Sequence, residues 1–310
     1  MTVNVLFSAI SERWDQYEAP LLTAFANAGV EVDLRTEFPP DQVDYIIYAP
    51  NSSVQDFTPY TRCKAVLNLW AGVEAVVDNE TLKVPLTRMV DQGLSDGMRE
   101  WVCGHVLRHH LGMDTHIHGQ DGEWRLGAPP LAKDRRVVIF GFGVLGQACG
   151  EALCDLGFQV IGWSNSQKSH RRIECYAGAD GFRQALALAD IAVLLLPWTP
   201  ETESMFDAEA FAAMPKGAVV INPGRGGLIN DAELIASLDS GHLAHATLDV
   251  FRVEPLPVDD PYWAHPKVTV TPQIASETRA SSAAEVIAEN IRRSEAGEPL
   301  LFLVDRDKGY

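Results

Sequence analysis

Three glycines in the stretch RRVVIFGFGVLGQACGEALCDLGFQVIGW have the spacing that holds a pyrophosphate: Gly141, Gly143 and Gly146. The first permits a tight turn, the second lets a ligand approach the backbone, and the third lets a helix pack closely on the preceding strand. Amides at the start of that helix, at Gly143, Val144, Leu145 and Gly146, would then face phosphate charge. A glycine triplet alone is often just a tight connection. Here apolar residues from Val137 to Phe140 precede it, a helical pattern follows, and a second strand runs from Phe158 to Trp163. Dinucleotide binding is therefore expected.

The end of the second strand bears on which dinucleotide. An NAD site usually places Asp or Glu there to bind the ribose hydroxyls. This chain instead has Ser164, Asn165, Ser166, Gln167 and Lys168, followed by Arg171 and Arg172. No carboxylate repels a 2′-phosphate, while hydroxyls, an amide and cations are available to bind it, so NADP(H) is expected over NAD(H). The bland alternative is a solvated basic turn.

The elements that must position these residues can be read from the pattern. Strands are expected at Val3 to Ala9, Val30 to Leu34, Tyr45 to Ala49, Ala65 to Leu69 and Val84 to Met89, with a helix from Tyr17 to Ala28 ended by Gly29. A helix from about Ser95 to Leu111 follows, then a loop over 112–135 rich in Gly and Pro. Beyond Trp163, strands recur at Ile191 to Leu196, Ala218 to Asn222, Ala246 to Phe251 and Val268 to Thr271. Helical patterns at Asp207 to Met214 and Asp231 to Leu238 lie between them. This alternation predicts an α/β chain: a doubly wound parallel sheet (Rossmann) domain plus a smaller flavodoxin-like α/β domain. A final helix over 276–296 is expected to return to the first domain. The domains are thus 1–94 with 276–310, for substrate and catalysis, and 95–275, for the dinucleotide.

With Lys+Arg 25 against Asp+Glu 42, the formal charge is −17, which would repel nucleic acid and anionic membrane. No apolar stretch approaches the ~20 residues of a membrane span, and the N-terminus does not read as a secretion signal. A cytoplasmic protein is expected. The five cysteines form neither a CxxC pair nor a Cys/His cluster at zinc spacing, so no metal site is expected.

Several ordered motifs carry a family resemblance: GFGVLG, LLLPWTPETESMF, NPGRGGLIND, LDVFRVEPLP and HPKVTVTP. Residues 136–310 resemble the D-2-hydroxyacid dehydrogenases. The similarity is nearest to the glyoxylate/hydroxypyruvate reductase A branch, where it extends through AGVEAV, VPLTRMVDQGLSDGM and the terminal VDRDKGY. The resemblance implies an NAD(P)-dependent reduction of a small 2-oxo acid to the 2-hydroxy acid. It also implies a homodimer through the dinucleotide-binding domains, with the 112–135 loop and Trp124 reaching the partner; alternatively Trp124 is an ordinary buried aromatic.

The same resemblance assigns roles. Arg225 would bind the substrate carboxylate and carbonyl oxygen with its planar fork. Ala71, Gly72 and Val73 would form the loop whose amides hold that carboxylate. Leu196, Pro197, Thr202, Pro223, Gly224 and Asp249 would line the cofactor. Glu254 matches the acid that orients the family's catalytic histidine and keeps it charged. At the histidine position itself, where the family has Thr-Pro-His, this chain has Thr271, Pro272 and Gln273. An amide donates a hydrogen bond but delivers no proton, and general acid catalysis typically contributes ~10²–10⁴ in rate.

Binding should therefore survive and reduction be slowed. Three accounts of Gln273 fit: a natural variant drawing its proton from water, an engineered change that traps a ligand, or an NADP(H)-binding sensor or interaction protein with little catalysis. His265 matches a loop outside the acid position. His105, His109, His110, His116 and His118 are expected to face solvent or cap a helix. Glu277 is expected in the first turn of the last helix, where the dipole favours a carboxylate.

Overall fold

The computed structural model describes residues 2–309. The chain divides into two compact units: one takes the chain up to Leu94 and everything from Glu277 onward, and the other is Ser95–Ser276.

The first unit is a five-stranded parallel sheet built from β1 (Val3–Ser8), β2 (Val32–Arg35), β3 (Tyr45–Tyr48), β4 (Ala65–Asn68) and β5 (Leu86–Thr87). The order β2-β1-β3-β4-β5 is the flavodoxin-like winding. Strands β3 and β4 are buried along their whole length, as parallel strands covered on both faces must be. Helix α1 (Trp14–Ala28) stops at Gly29, whose left-handed backbone (φ 69°) lets its amide and that of Val30 reach back to Ala26 and Phe25 carbonyls. Helix α8 (Ala280–Glu295) buries Ala283, Ala284, Ile287, Ala288 and Ile291 with Tyr17, Leu21 and Phe25 of α1 in one core. The helix begins four residues later than the sequence suggested: residues 276–279 carry no regular secondary structure, and the capping Arg279 is extended. Glu277 consequently lies outside the helix, where its carboxylate pairs with Arg13 at 2.7 Å.

The second unit is a seven-stranded parallel sheet. Its elements are α2 (Gln92–His110), whose first three residues belong to the first unit, α3 (Met113–His118), β6 (Arg136–Phe140), α4 (Val144–Asp155), β7 (Gln159–Ser164), β8 (Glu174–Ala177), α5 (Gly178–Leu188), β9 (Ile191–Leu194), α6 (Ala208–Ala213), β10 (Ala218–Asn222), α7 (Asp231–Asp239), β11 (Leu243–Leu248) and β12 (Val268–Val270). The order β12-β11-β10-β9-β6-β7-β8 reverses direction between β6 and β9, which makes that junction the topological switch point of a doubly wound sheet. Alternate residues of β6 feed opposite cores. Val138 and Phe140 pack with α5 and α6, while Val137 and Ile139 pack with Val102 and Val106 of α2 and Cys149 and Leu153 of α4.

Departures from the sequence expectation are local. The 112–135 stretch is not all loop: α3 occupies Met113–His118, and a turn of 3₁₀ helix covers Ala132–Asp134. Strand β11 starts three residues early, and the sequence pattern announces neither β8 nor α5. Trp124 is not a buried aromatic, being 87% exposed, as is Leu126. Nor do three of the histidines face solvent. His110 is buried, and His105 and His109 are half-buried on α2, because this helix lies between the sheet and the α3 segment rather than on an open surface. Among the described residues, no helix is long and apolar enough to cross a membrane.

Candidate active site

The strand registers bring the candidate residues to one edge of the seven-stranded sheet. Phe140 of β6 lies beside Leu194 of β9, Asn222 of β10 beside Leu248 of β11, and Leu248 beside Val270 of β12. All seven strands are parallel, so every loop that follows one of them emerges at this carboxyl edge. Ligands of open α/β sheets bind in the crevice outside those strand ends.

The glycine turn follows β6. Gly141 has φ 106°, and a Cβ there would collide with the Leu195 backbone; a Cβ on Gly146 would collide with the Gly141 carbonyl oxygen. Those two glycines are thus required by the protein's own packing. Gly143 is exposed and has open space where its Cβ would lie, so its constraint comes from what approaches the turn. It precedes α4, whose first amides, from Val144 on, have no acceptor within the helix. A pyrophosphate fits this cradle.

After β7, Ser164 donates to the Ser166 carbonyl at 2.9 Å, which closes a short turn with Asn165, Ser166 and Lys168 exposed. Arg172 is committed to Asp155 at 2.6 Å, so it is not the freely available cation that the sequence suggested. After β9, Leu196 is buried, and Thr202 spends its hydroxyl inside its own loop, donating to Pro197 and accepting from the Thr199 amide, both at 2.8 Å. That is a folding role for Thr202.

Arg225 follows β10 through the buried Pro223 and Gly224. Asn222 fixes the turn from both sides: its amide donates to the Arg225 carbonyl at 2.9 Å, and its oxygen accepts from the Gly224 amide at 3.1 Å. The guanidinium is half-buried, with Nη1 donating to the Gly224 carbonyl at 2.7 Å. Arg252, which sequence reading passed over, clamps the same turn from beyond β11. Its Nη2 donates to Ser204 Oγ, Gly227 O and Ile229 O, and its charge is balanced by Glu203 and Asp231. Only its tertiary neighbours reveal this work, since no local motif marks it.

Gln273 follows β12 in a left-handed conformation, φ 52°. For a non-glycine residue such a backbone costs about 1–3 kcal/mol and must be held in place. Asp249, at the end of β11, does this. Its carboxylate accepts from Thr271 Oγ1 at 2.5 Å and from the amides of Ile274 and Ala275 at 3.0 and 2.8 Å, while its carbonyl accepts from the Gln273 amide at 2.9 Å. Burial raises the Asp249 carboxyl above the usual range, against the lowering effect of those three donors. Gln273 itself is exposed at this edge.

Glu254 is also exposed, and its carboxylate accepts from the Phe251 amide at 2.8 Å. Among the described residues no hydrogen bond joins Glu254 to Gln273. His265 stands before β12, at the opposite end of that strand from Gln273, and bonds Asp239 at 3.2 Å.

Ala71, Gly72 and Val73 belong to the first unit, after β4. Asn68 ties this loop by donating to the Trp70 and Gly72 carbonyls at 3.1 and 2.9 Å, and Val73 is buried in the core of that unit.

Residues 103–275 match the family model described as D-isomer specific 2-hydroxyacid dehydrogenase, NAD binding domain. The chain belongs to this family. A glyoxylate/hydroxypyruvate reductase A from Serratia proteamaculans (strain 568) is 38% identical over 257 residues, covering 80% of this chain and 82% of that one. Among solved structures, a D-isomer specific 2-hydroxyacid dehydrogenase from Xanthobacter autotrophicus Py2, in complex with NADPH and MES, superposes with TM-score 0.94 at 38% identity over the full length of both chains. An NADPH-dependent glyoxylate/hydroxypyruvate reductase from Sinorhizobium meliloti, with NADP and sulfate, gives 0.87 at 36% identity, covering 100% of this chain and 99% of that one. Enzymes of this 2-hydroxyacid dehydrogenase family are NAD(P)-dependent, and this chain is of that class.

Proposed function

We propose that the protein reduces a small 2-oxo acid of the glyoxylate or hydroxypyruvate type with NADPH, at a rate held down by Gln273. The observation that carries this reading is the shared carboxyl edge, where the glycine turn, the Arg225 turn and the Gln273 turn all emerge from one parallel sheet. Relatives solved with NADPH or NADP, and the absence of a carboxylate from Ser164 to Lys168, support NADP(H) over NAD(H).

In this reading the seven-stranded unit is the dinucleotide-binding domain and the first unit the substrate domain. The cofactor, when bound, supplies a hydride for the carbonyl carbon. Arg225 donates hydrogen bonds to the substrate carboxylate and carbonyl oxygen, and the turn held by Asn222 and Arg252 keeps the guanidinium oriented. Gln273 donates a hydrogen bond to the developing alkoxide. Its amide has no acidic proton to give, so the proton comes from water. Glu254 orients the approach to that oxygen. A homodimer through the dinucleotide-binding units accords with the resemblance and with the exposure of Trp124 and Leu126.

NADPH oxidation with glyoxylate and with hydroxypyruvate, measured on the chain as it stands and on Gln273→His, tests this. The histidine form should gain about a hundredfold or more in kcat, and a titration between about pH 6 and 8 should appear that the original lacks. Fast turnover of the original chain with no gain from histidine would overturn the role given to Gln273. Among the described residues Glu254 bonds the Phe251 amide and not Gln273, which favours a second reading, an NADP(H)-binding sensor or interaction protein. Tight NADPH binding with negligible turnover in both forms would select it.

A further inference from the structure

Two side chains on the loop after β9, Trp198 and Glu203, reach the Arg225 turn that follows β10. The indole of Trp198 lies against Gly227, two residues beyond Arg225, so closely that a Cβ on that glycine would collide with the ring. Trp198 Nε1 donates to Glu203 Oε2, and the other oxygen of the same carboxylate accepts from Arg252 Nη1. Arg252 Nη2 in turn donates to Ser204 Oγ at 2.8 Å, to the Gly227 carbonyl at 3.1 Å and to the Ile229 carbonyl at 2.6 Å. One carboxylate thus ties together the loops after β9, β10 and β11.

The backbone is held to match. Ser204, next to Glu203, is left-handed at φ 52°, and its amide donates to the Gly227 carbonyl at 2.8 Å. A non-glycine residue keeps such a conformation only where its surroundings over-determine it, and such residues cluster at functional sites. A Cβ on Gly226 would meet the Phe251 and Arg252 backbone, so the segment that leads to Glu254 is pressed on the same turn. Folding stability alone does not account for these contacts. The Glu203 and Arg252 side chains are 40% and 31% exposed, and ion pairs that water reaches contribute little to folding. Their effect is on orientation: a planar guanidinium bonded to acceptors on two loops is fixed in direction. Arg252, and then Trp198, hold the Glu203 carboxyl below its ordinary range, so the bridge is charged at neutral pH.

We propose that Trp198 and Glu203 are positioning residues for Arg225, acting through Gly227 and Arg252 to fix the turn from which Arg225 binds the carboxylate of a 2-oxo acid. The part given to Arg225 rests on the reductase reading; the hold on its turn does not. Displacing a binding group by about 1 Å, from a site away from the chemistry, can cost up to about 10²-fold in rate.

The test uses the full-length protein saturated with NADPH, with oxamate as a carboxylate that resists hydride transfer and glyoxylate as the reducible one. Trp198→Ala and Glu203→Ala should each weaken oxamate binding about tenfold and lower kcat/KM for glyoxylate at least as much, with NADPH affinity changed by less than roughly threefold. Gly227→Ala leaves Glu203 and Arg252 in place but displaces the indole; it should act like Trp198→Ala, and the two together should be no worse than either. Trp198→Phe keeps a ring against Gly227 without the Nε1 donor and should recover part of the loss. Glu209→Gln, which removes an exposed carboxylate from α6, is the control.

Hydrogen exchange without substrate reads the hold on the turn itself. The amides of Leu228 and Ile229 bond the Arg225 and Gly226 carbonyls at 3.3 and 3.2 Å, and their exchange should quicken in Trp198→Ala and Glu203→Ala but not in Glu209→Gln. Unchanged exchange, or faster exchange with unchanged oxamate affinity, overturns the proposal. So does an equal loss of NADPH and oxamate affinity with a lower melting midpoint, the mark of a generally loosened domain. If the original chain neither binds oxamate nor reduces glyoxylate, the reductase reading falls, and exchange alone then decides whether Trp198 and Glu203 hold the Arg225 turn.

Discussion

Cofactor choice is decided at single residues. The turn after β7 presents Asn165 and Ser166 to solvent, with Lys168 close by and Arg172 drawn away to Asp155. The discrimination then rests on the absence of a negative charge as much as on any cation, and a carboxylate placed there should reverse it. Two unit charges about 4 Å apart repel by roughly 1–4 kcal/mol between the dielectric of water and that of a protein surface. Asn165→Asp is therefore expected to lower the ratio of kcat/KM for NADPH to that for NADH by at least tenfold, mainly through the KM for NADPH. Steady-state kinetics with both cofactors measures it, and an unchanged ratio would remove this turn from the account of specificity. The residue types at this turn were open to sequence reading; Arg172's engagement with Asp155 was not, because the two lie on separate elements. Arg252 escaped notice for the same reason. Resemblance makes Asp249 a cofactor neighbour, whereas its local work, holding the left-handed Gln273 turn, appears only when β11 and β12 lie side by side.

Between elements, the contact of α2 with β11 and β12 should be sensitive to acid. His109 bonds Thr247 of β11 at 2.8 Å, and His245 of β11 bonds Thr269 of β12 at 2.9 Å. The His109 and His245 rings stand 4.9 Å apart, and Arg108, paired with Asp114 of α3, donates to the same Thr269 hydroxyl at 3.0 Å. Burial, with the neighbouring cations, lowers His109 to about 3 and His245 to about 4; His105, one turn earlier on α2, falls to about 4. A histidine whose pKa is lower folded than unfolded stabilises the fold fully above about pH 6.5, and that contribution is lost as pH falls toward the folded value.

Stability should accordingly drop between pH 6.5 and 4, with His109 contributing up to about 1.4 kcal/mol per pH unit. Urea unfolding at pH 7 and 5 on the original chain and on His109→Gln, whose amide can still bond Thr247, should show a smaller loss in the variant. Equal losses would mean that the imidazole is not the titrating group. The sequence places His105 and His109 around the helix that precedes the 112–135 stretch. It could not place β11 against them, and so their burial was invisible to it. Long periodic elements were legible for the opposite reason: the alternation in β6 and the apolar face of α8 are local patterns that tertiary packing then uses unchanged.

For the whole molecule, the main consequence is that the first unit is made from both ends of the chain. Its core joins Tyr17, Leu21 and Phe25 of α1 to Ala283, Ile287 and Ile291 of α8, segments more than 250 residues apart. The small residues of α8 let the two helices approach closely, and Ile287, 1% exposed, is buried in the core they share with the sheet. Removing three of its carbons leaves a cavity in a core that Tyr17, Leu21 and Phe25 help to fill. Ile287→Ala should cost about 2–5 kcal/mol. Hydrogen exchange can assign that cost to a place: amides of β1 to β4 should lose protection, because the sheet they form is the one α8 covers, while the amides of β6, β9 and β10 serve as the internal reference. Loss of protection across β6 to β10 equal to that in β1 to β4 would show that the folding unit completed by the C-terminal helix is the entire chain. Selective loss would show that a helix distant in sequence stabilises the five-stranded sheet alone.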